Sequence, residues 1–173
     1  MADILVTEST RRYTGVGLWL DRACKAMAVL AGLILTAMAL MSLRSIVGRS
    51  LFESPLVGDY ELVQFMCALS VSLSLPYTHW IKGHVIVDFF TAKASPKVNA
   101  VLDALANLLL AAFSAVIAWR LGVGLVDLRA SEDASMLLSI PTWWAYLAMV
   151  PSFALLALTA LYGVSTNLKE LQK

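Results

Sequence analysis

Between Glu61 and Lys82 no residue carries a full charge; a carboxylate opens the run and Lys82-Gly83-His84 closes it. A helix that crosses a bilayer needs about 20 mostly apolar residues, and this run has that length. Two further runs resemble it: Ala26 to Leu43, stopped by Arg44, and Ala134 to Leu168, which holds no charge at all. In hydrocarbon every backbone polar group must be satisfied internally, so only helices or a closed barrel can accommodate such runs. Val71-Ser-Leu-Ser-Leu alternates with the period of a strand, but nothing else in the chain has barrel periodicity. The run reads as a helix.

Composition supports this reading. Of 173 residues, 60% are hydrophobic and 14% charged, with mean hydropathy +0.77, against about 45–50% and about 25% in ordinary soluble domains. The expected fold is an all-α integral membrane protein, a single compact bundle of four transmembrane helices with short surface helical segments. Net charge +1, with no basic block and no Gly-rich phosphate loop, gives no reason to expect nucleic acid as a partner. Cys24 and Cys67 have no metal-type spacing. They fall in opposite halves of the expected bilayer, beyond the ~7 Å Cα limit of a disulfide, and read as plain buried thiols. The first twelve residues are polar and the first apolar run is long enough to span, so no cleavable signal peptide is expected.

Taken in order, the chain divides into spans at approximately 26–43, 61–80, 104–126 and 143–162 of one domain, 1–173. Val16-Gly-Leu-Trp-Leu ahead of the first span reads as a short surface turn, because Gly15 and Gly17 argue against a long helix there. Cys24, Ala28, Gly32 and Thr36 make a small face on the first span, and Ala104, Asn107, Ala111, Ala115, Ala118 and Gly122 make another on the third. Gly48 to Tyr60, Thr91 to Asp103 and Asp127 to Asp133 read as connections, and Pro76 and Pro151 as kinks. In the second span Glu61, Gln64, Ala68, Ser72 and His79 share one face at about 100° per residue. Polar groups in a span normally face protein, so this face is expected to pack.

Four spans place both termini on one side. That side, with the middle connection, carries Arg11, Arg12, Arg22, Lys25, Lys82, Lys93, Lys97, Lys169 and Lys173; the other has Arg44, Arg49, Arg120 and Arg129. The asymmetry favours cytoplasmic termini. Trp19 and Trp80 then belong to the inner interface, Trp119, Trp143 and Trp144 to the outer one.

Few residues could carry chemistry. His79 and His84 invite comparison with the haem- or quinone-binding anchors of respiratory enzymes, but a bis-histidine site needs ligands on facing helices, and these are five residues apart at one membrane face. Glu61 is an ionisable residue at a span, a functional candidate by default, yet at a helix N-terminus a carboxylate is favoured by the dipole and stays hydrated. His84 and Asp88, four apart, could pair to fix the corner. No nucleophile or oxyanion pattern accompanies them, so no enzyme and no cofactor is expected.

The ordered set of Arg49, Glu61 opening the second span, Gly83-His84-x-x-Val87-Asp88 after it and Ser139-Ile-Pro-Thr-Trp-Trp-Ala-Tyr-Leu-Ala-Met-Val-Pro before the last helix resembles the small, DctQ-like membrane subunit of tripartite ATP-independent periplasmic (TRAP) transporters. The resemblance covers essentially the whole chain. It implies a bacterial inner-membrane protein that clamps a large, DctM-like transport subunit as fixed scaffold while an elevator-like domain slides. A periplasmic protein would capture an organic acid anion, and the large subunit would move it with sodium ions. The Ser70/Ser72/Ser74 run with Pro76 is more polar than that family leads one to expect. Residues expected at the partner interface, with lipid around them, are Arg49, Glu61, Gln64, Ser72, His79, His84 and Asp88, with Glu61 meeting a basic partner.

Overall fold

Among the described residues four helices stand side by side in an open row. They are α1 (Val16–Phe52), α2 (Asp59–Trp80), α3 (Pro96–Ala130) and α4 (Trp143–Leu171). The computed structural model describes residues 15–52, 57–81, 83 and 96–171; His84 and Asp88 fall outside them. Among the described residues α1 packs on α2, α2 on α4 and α4 on α3; α1 meets α4 only slightly, and α3 touches neither α1 nor α2. The expected compact bundle is therefore an open row. In lipid there is no hydrophobic penalty for leaving apolar faces uncovered, so a helix needs only enough neighbours to satisfy its polar groups and fill its small-residue gaps.

Three of the helices are long and apolar enough to cross a membrane: Val16–Leu51, Val101–Ala130 and Trp143–Thr166. α2 is long enough, at 22 residues, but carries Asp59, Glu61, Gln64, three serines, Thr78 and His79. At 1.5 Å per residue, the 37 residues of α1 reach about 55 Å, well past the ~30 Å hydrocarbon core. The surface turn expected at 16–20 is the first turn of this helix, Gly17 included. A glycine costs only about 1 kcal/mol in a helix interior, which a long helix absorbs. α3 likewise begins at Pro96 rather than after Asp103, since proline suits the first helical position and polar residues outside the bilayer remain helical.

Buried and half-buried residues on α1 recur as Leu20, Cys24, Met27, Ala31, Ile34, Met38, Met41, Ser45 and Gly48, a spacing of four and three in alternation. The expected stripe of every fourth residue leaves this seam, and Gly32 and Thr36 are exposed. A stride of four residues turns about 40° per step away from a fixed line, whereas the 3.5-residue repeat keeps facing its neighbour. On α3 the same spacing buries Ala111 and Ser114 and leaves Ala115 exposed. Where α3 and α4 cross, Gly163 is closely covered: a Cβ there would stand 3.2 Å from the Asn107 side chain. α4, with neighbours on both sides, holds more of the buried core than any other helix, including Leu155, Leu156, Ala157 and Ala160.

α2 and α4 run parallel, with α1 and α3 antiparallel to them. At one end Leu20 and Cys24 of α1 meet Leu155 of α4, flanked by Tyr77, Trp80 and Tyr162. Trp80 donates its indole N–H to Asp21 at 3.0 Å, and Lys25 closes on the same carboxylate at 2.8 Å. Both cysteines are free, Cys24 buried and Cys67 exposed.

Candidate functional site

The polar residues of α2 do not form one site. Glu61 and His79 are eighteen residues apart on a continuous helix, about 27 Å at 1.5 Å per residue. His79 is half-buried at the end that holds Trp80 and Asp21, whereas Glu61 stands at the opposite end. Gln64 is exposed. Ser72 is 3% exposed and sits inside the row, so it presents no side-chain surface to another protein.

Of the α2 serines, Ser72 and Ser74 donate their hydroxyls back to the carbonyls of Leu69 and Val71 in their own helix, and Ser70 reaches a neighbouring one. Ser70 donates to the carbonyl of Ala31 on α1 at 3.1 Å. Ser152 of α4 donates to the carbonyl of Ser72. The second bond has a specific cause. The helical partner of the Ser72 carbonyl is the N–H of residue 76, and Pro76 has none. A freed carbonyl inside a membrane helix is tolerated when a neighbouring serine supplies the donor, and Ser152 does so. Pro76 and Ser70, two members of this unexpectedly polar run, are thus accommodated within the chain.

At the other end, three loops and helix termini converge. Ser45 donates to Asp59 Oδ2 at 2.5 Å, and Arg49 approaches the same oxygen at 3.6 Å. The Ser45 hydroxyl, opposed by partial desolvation and helped by the Tyr60 N–H and Arg49, lowers the Asp59 carboxyl from its ordinary value of 3.8. Next to it, Gly58 turns the chain into α2 with φ 76°. A Cβ at Gly58 would lie 2.5 Å from Leu138 Cγ, so both the backbone angle and the space require glycine.

Leu138 belongs to the segment 131–142 between α3 and α4, folded back on itself by an isolated bridge between Ala134 and Pro141. Glu61 holds this segment: its two carboxylate oxygens accept the backbone N–H groups of Leu137 at 2.9 Å and Leu138 at 3.1 Å. Within the chain, the Glu61 carboxylate is thus met by a pair of amides. Arg129 of α3 lies over the Trp143 ring at 5.5 Å, which ties the two ends of the segment together. Asp59, Ser45 and the 135–138 amides were not singled out from the sequence; Ser45 and Arg49, four apart on the last turns of α1, with an acid after Gly58, were the available signal.

The chain so assembled is a row of apolar helices cross-tied at both ends, with Arg49 and Glu61 at one end and His79 at the other. Residues 38–170 match the family described as tripartite ATP-independent periplasmic transporters, DctQ component. The chain belongs to the DctQ family. Searched against curated proteins, this DctQ subunit finds no match. The matched region takes in less than half of α1, all of α2 and α3 and nearly all of α4, so it includes the Ser152–Ser72, Ser45–Asp59, Arg49–Asp59 and Glu61 cross-ties but not Asp21–Trp80 or Ser70–Ala31. As a DctQ component, the chain is a small subunit of a TRAP transporter.

Proposed function

We propose that this DctQ subunit is a fixed scaffold in the bacterial inner membrane, holding a large DctM-like subunit whose elevator-type motion carries organic acid anions with sodium ions. In this reading α2 is a fourth span, its polar groups satisfied by α1 and α4, and both termini are cytoplasmic. A periplasmic binding protein delivers the anion to the large subunit.

The observation that carries the reading is the open row. Leu33, Leu40, Phe113 and Val116 are among many large apolar residues exposed on the mid-portions of α1 and α3. Broad uncovered faces suit a plate that lies against other membrane proteins and lipid. Transporters that move solutes by themselves gather discontinuous helices around a midplane site, whereas all four helices here are continuous.

The test is reconstitution. Proteoliposomes holding this subunit alone, assayed with dicarboxylates, sugar acids and a sodium gradient, should show no uptake. Adding the large subunit and the binding protein should produce sodium-dependent uptake. Uptake by the small subunit alone would overturn the scaffold role.

A further inference from the structure

Where α1 leaves the membrane beside the start of α2, the two helices part and leave a groove of about 550 Å³. Ile46 and Val63 supply apolar lining; Ser42, Arg49, Asp59 and Tyr60 supply the polar lining. On α1 the groove runs from Ser42 to Ser50, past Arg44, which ends the uncharged run, and the turns from Arg44 to Arg49 extend about 7 Å beyond that limit. That is the thickness of the headgroup layer, since the ~30 Å core grows to about 40–45 Å once headgroups are counted.

Two opposite charges face this groove side by side. The Arg49 side chain is 67% exposed and that of Asp59 is 28% exposed, with 3.6 Å between the guanidinium and Oδ2. This separation exceeds the roughly 2.7–2.9 Å of a charge-assisted hydrogen bond, so the fork of Arg49 donors is not consumed by Asp59. Ser45, 3% exposed, anchors Asp59 from behind. The pair is positioned from within the protein, not by surface chance.

We infer that this groove binds the headgroup of a phospholipid bearing both a phosphate and a primary ammonium, as in phosphatidylethanolamine. The phosphate accepts from the planar fork of Arg49, a geometry that guanidinium matches well. The ammonium donates to Asp59, and an acyl chain runs down past Ile46 and Val63. A purely anionic headgroup could meet Arg49 but would bring no cation of its own to answer Asp59. A choline headgroup has no N–H to donate. The inference rests on the reading that α1 and α2 cross the membrane at this depth.

The full-length subunit, alone and with its large subunit, is to be exchanged into mild detergent and offered mixed vesicles of ethanolamine, glycerol and choline phospholipids with identical chains. Retained lipids are then counted by native mass spectrometry. Ethanolamine lipid should be retained preferentially in both preparations. Arg49→Gln should lower that retention by about tenfold, and Arg49→Lys by less. Asp59→Asn should abolish the preference for ethanolamine over glycerol lipid without abolishing binding. Competition by soluble glycerophosphoethanolamine, but not by inorganic phosphate, separates headgroup recognition from simple anion capture. Equal retention of the three lipids, or retention unchanged in Arg49→Gln, would overturn the site, as would lipid binding to the isolated subunit that vanishes in the complex. Helix content and co-purification with the large subunit are measured in parallel; their loss in wild type would count against the scaffold reading instead.

Discussion

Replacing Ser152 by alanine should destabilise the chain more than replacing Ser70, although both are buried serines that donate one hydrogen bond to a neighbouring helix. The difference lies in the acceptor. The Ala31 carbonyl on α1 keeps its own helical donor, the N–H of Leu35, so Ser70→Ala loses a supplementary bond worth about 0.6 kcal/mol in a membrane. The Ser72 carbonyl has no helical donor because residue 76 is proline. With Ser72 3% and Ser152 1% exposed, Ser152→Ala leaves that carbonyl unsatisfied and out of reach of water, at about 1–3 kcal/mol. Pro76→Ala restores an N–H at the right position. In that background Ser152→Ala should fall back to about 0.6 kcal/mol, a coupling of about 0.5–2 kcal/mol that the double-mutant cycle isolates from the packing cost of losing the proline ring. Reversible unfolding in mixed micelles, followed by tryptophan fluorescence, measures all four corners. Equal costs for Ser152→Ala and Ser70→Ala, or no suppression by Pro76→Ala, would refute the account.

Four further outcomes are expected. Gly58→Ala should cost about 2–5 kcal/mol in the same unfolding assay, from left-handed strain and overlap with Leu138; Leu138→Ala should relieve the overlap and leave the strain. Glu61→Ala should speed hydrogen exchange at the amides of Leu137 and Leu138 while leaving mid-helix amides of α3 unchanged; equal rates in variant and wild type would remove its role as a clamp. Because the Asp59 carboxyl is lowered from 3.8, its stabilisation is complete above that value and is lost as pH falls through the folded one. Melting profiles should therefore gain an acid-side slope below about pH 4 that Asp59→Asn lacks, and stay flat from this group between pH 5 and 8. Finally, with Cys24 and Cys67 replaced, a cysteine at Ser54 or Ser131 should react with an impermeant thiol reagent from the periplasm and one at Ser95 should not; the reverse pattern would invert the orientation.

Helical character was legible because uncharged runs in lipid leave few alternatives, and the last helix begins at Trp143 as expected from the uncharged run that contains it. The extent of α1 was not, since apolarity marks where lipid begins and ends while hydrogen bonding carries a helix on past both limits. Which residues face inward was legible only in part. Ala111 and Ala118 lie on the packed face of α3, yet Gly32 and Thr36 do not lie on that of α1, because a stripe of small residues records opportunity and only the neighbour's position decides its use. Ser72 illustrates the point most directly. A polar face on an isolated span looks like a surface for a partner protein, and nothing local shows that α4, eighty positions away, will bring Ser152 to it.

The order of helices in the row bears on how the subunit is made. α1 emerges first and, being apolar, can wait in lipid unaccompanied. α2, the most polar of the four, arrives when its first neighbour is already present, so Ser70 finds the Ala31 carbonyl at once. α3 comes next and has no neighbour among the helices already inserted, but its apolar sequence lets it enter the bilayer as a solitary span. α4 is last. It wedges between α2 and α3, delivers Ser152 to the carbonyl that Pro76 left bare, and covers both exposed flanks in one step. A chain released by the ribosome before α4 is complete would leave the Ser72 carbonyl without the donor that Ser152 supplies, a mark of unfinished assembly written into the backbone.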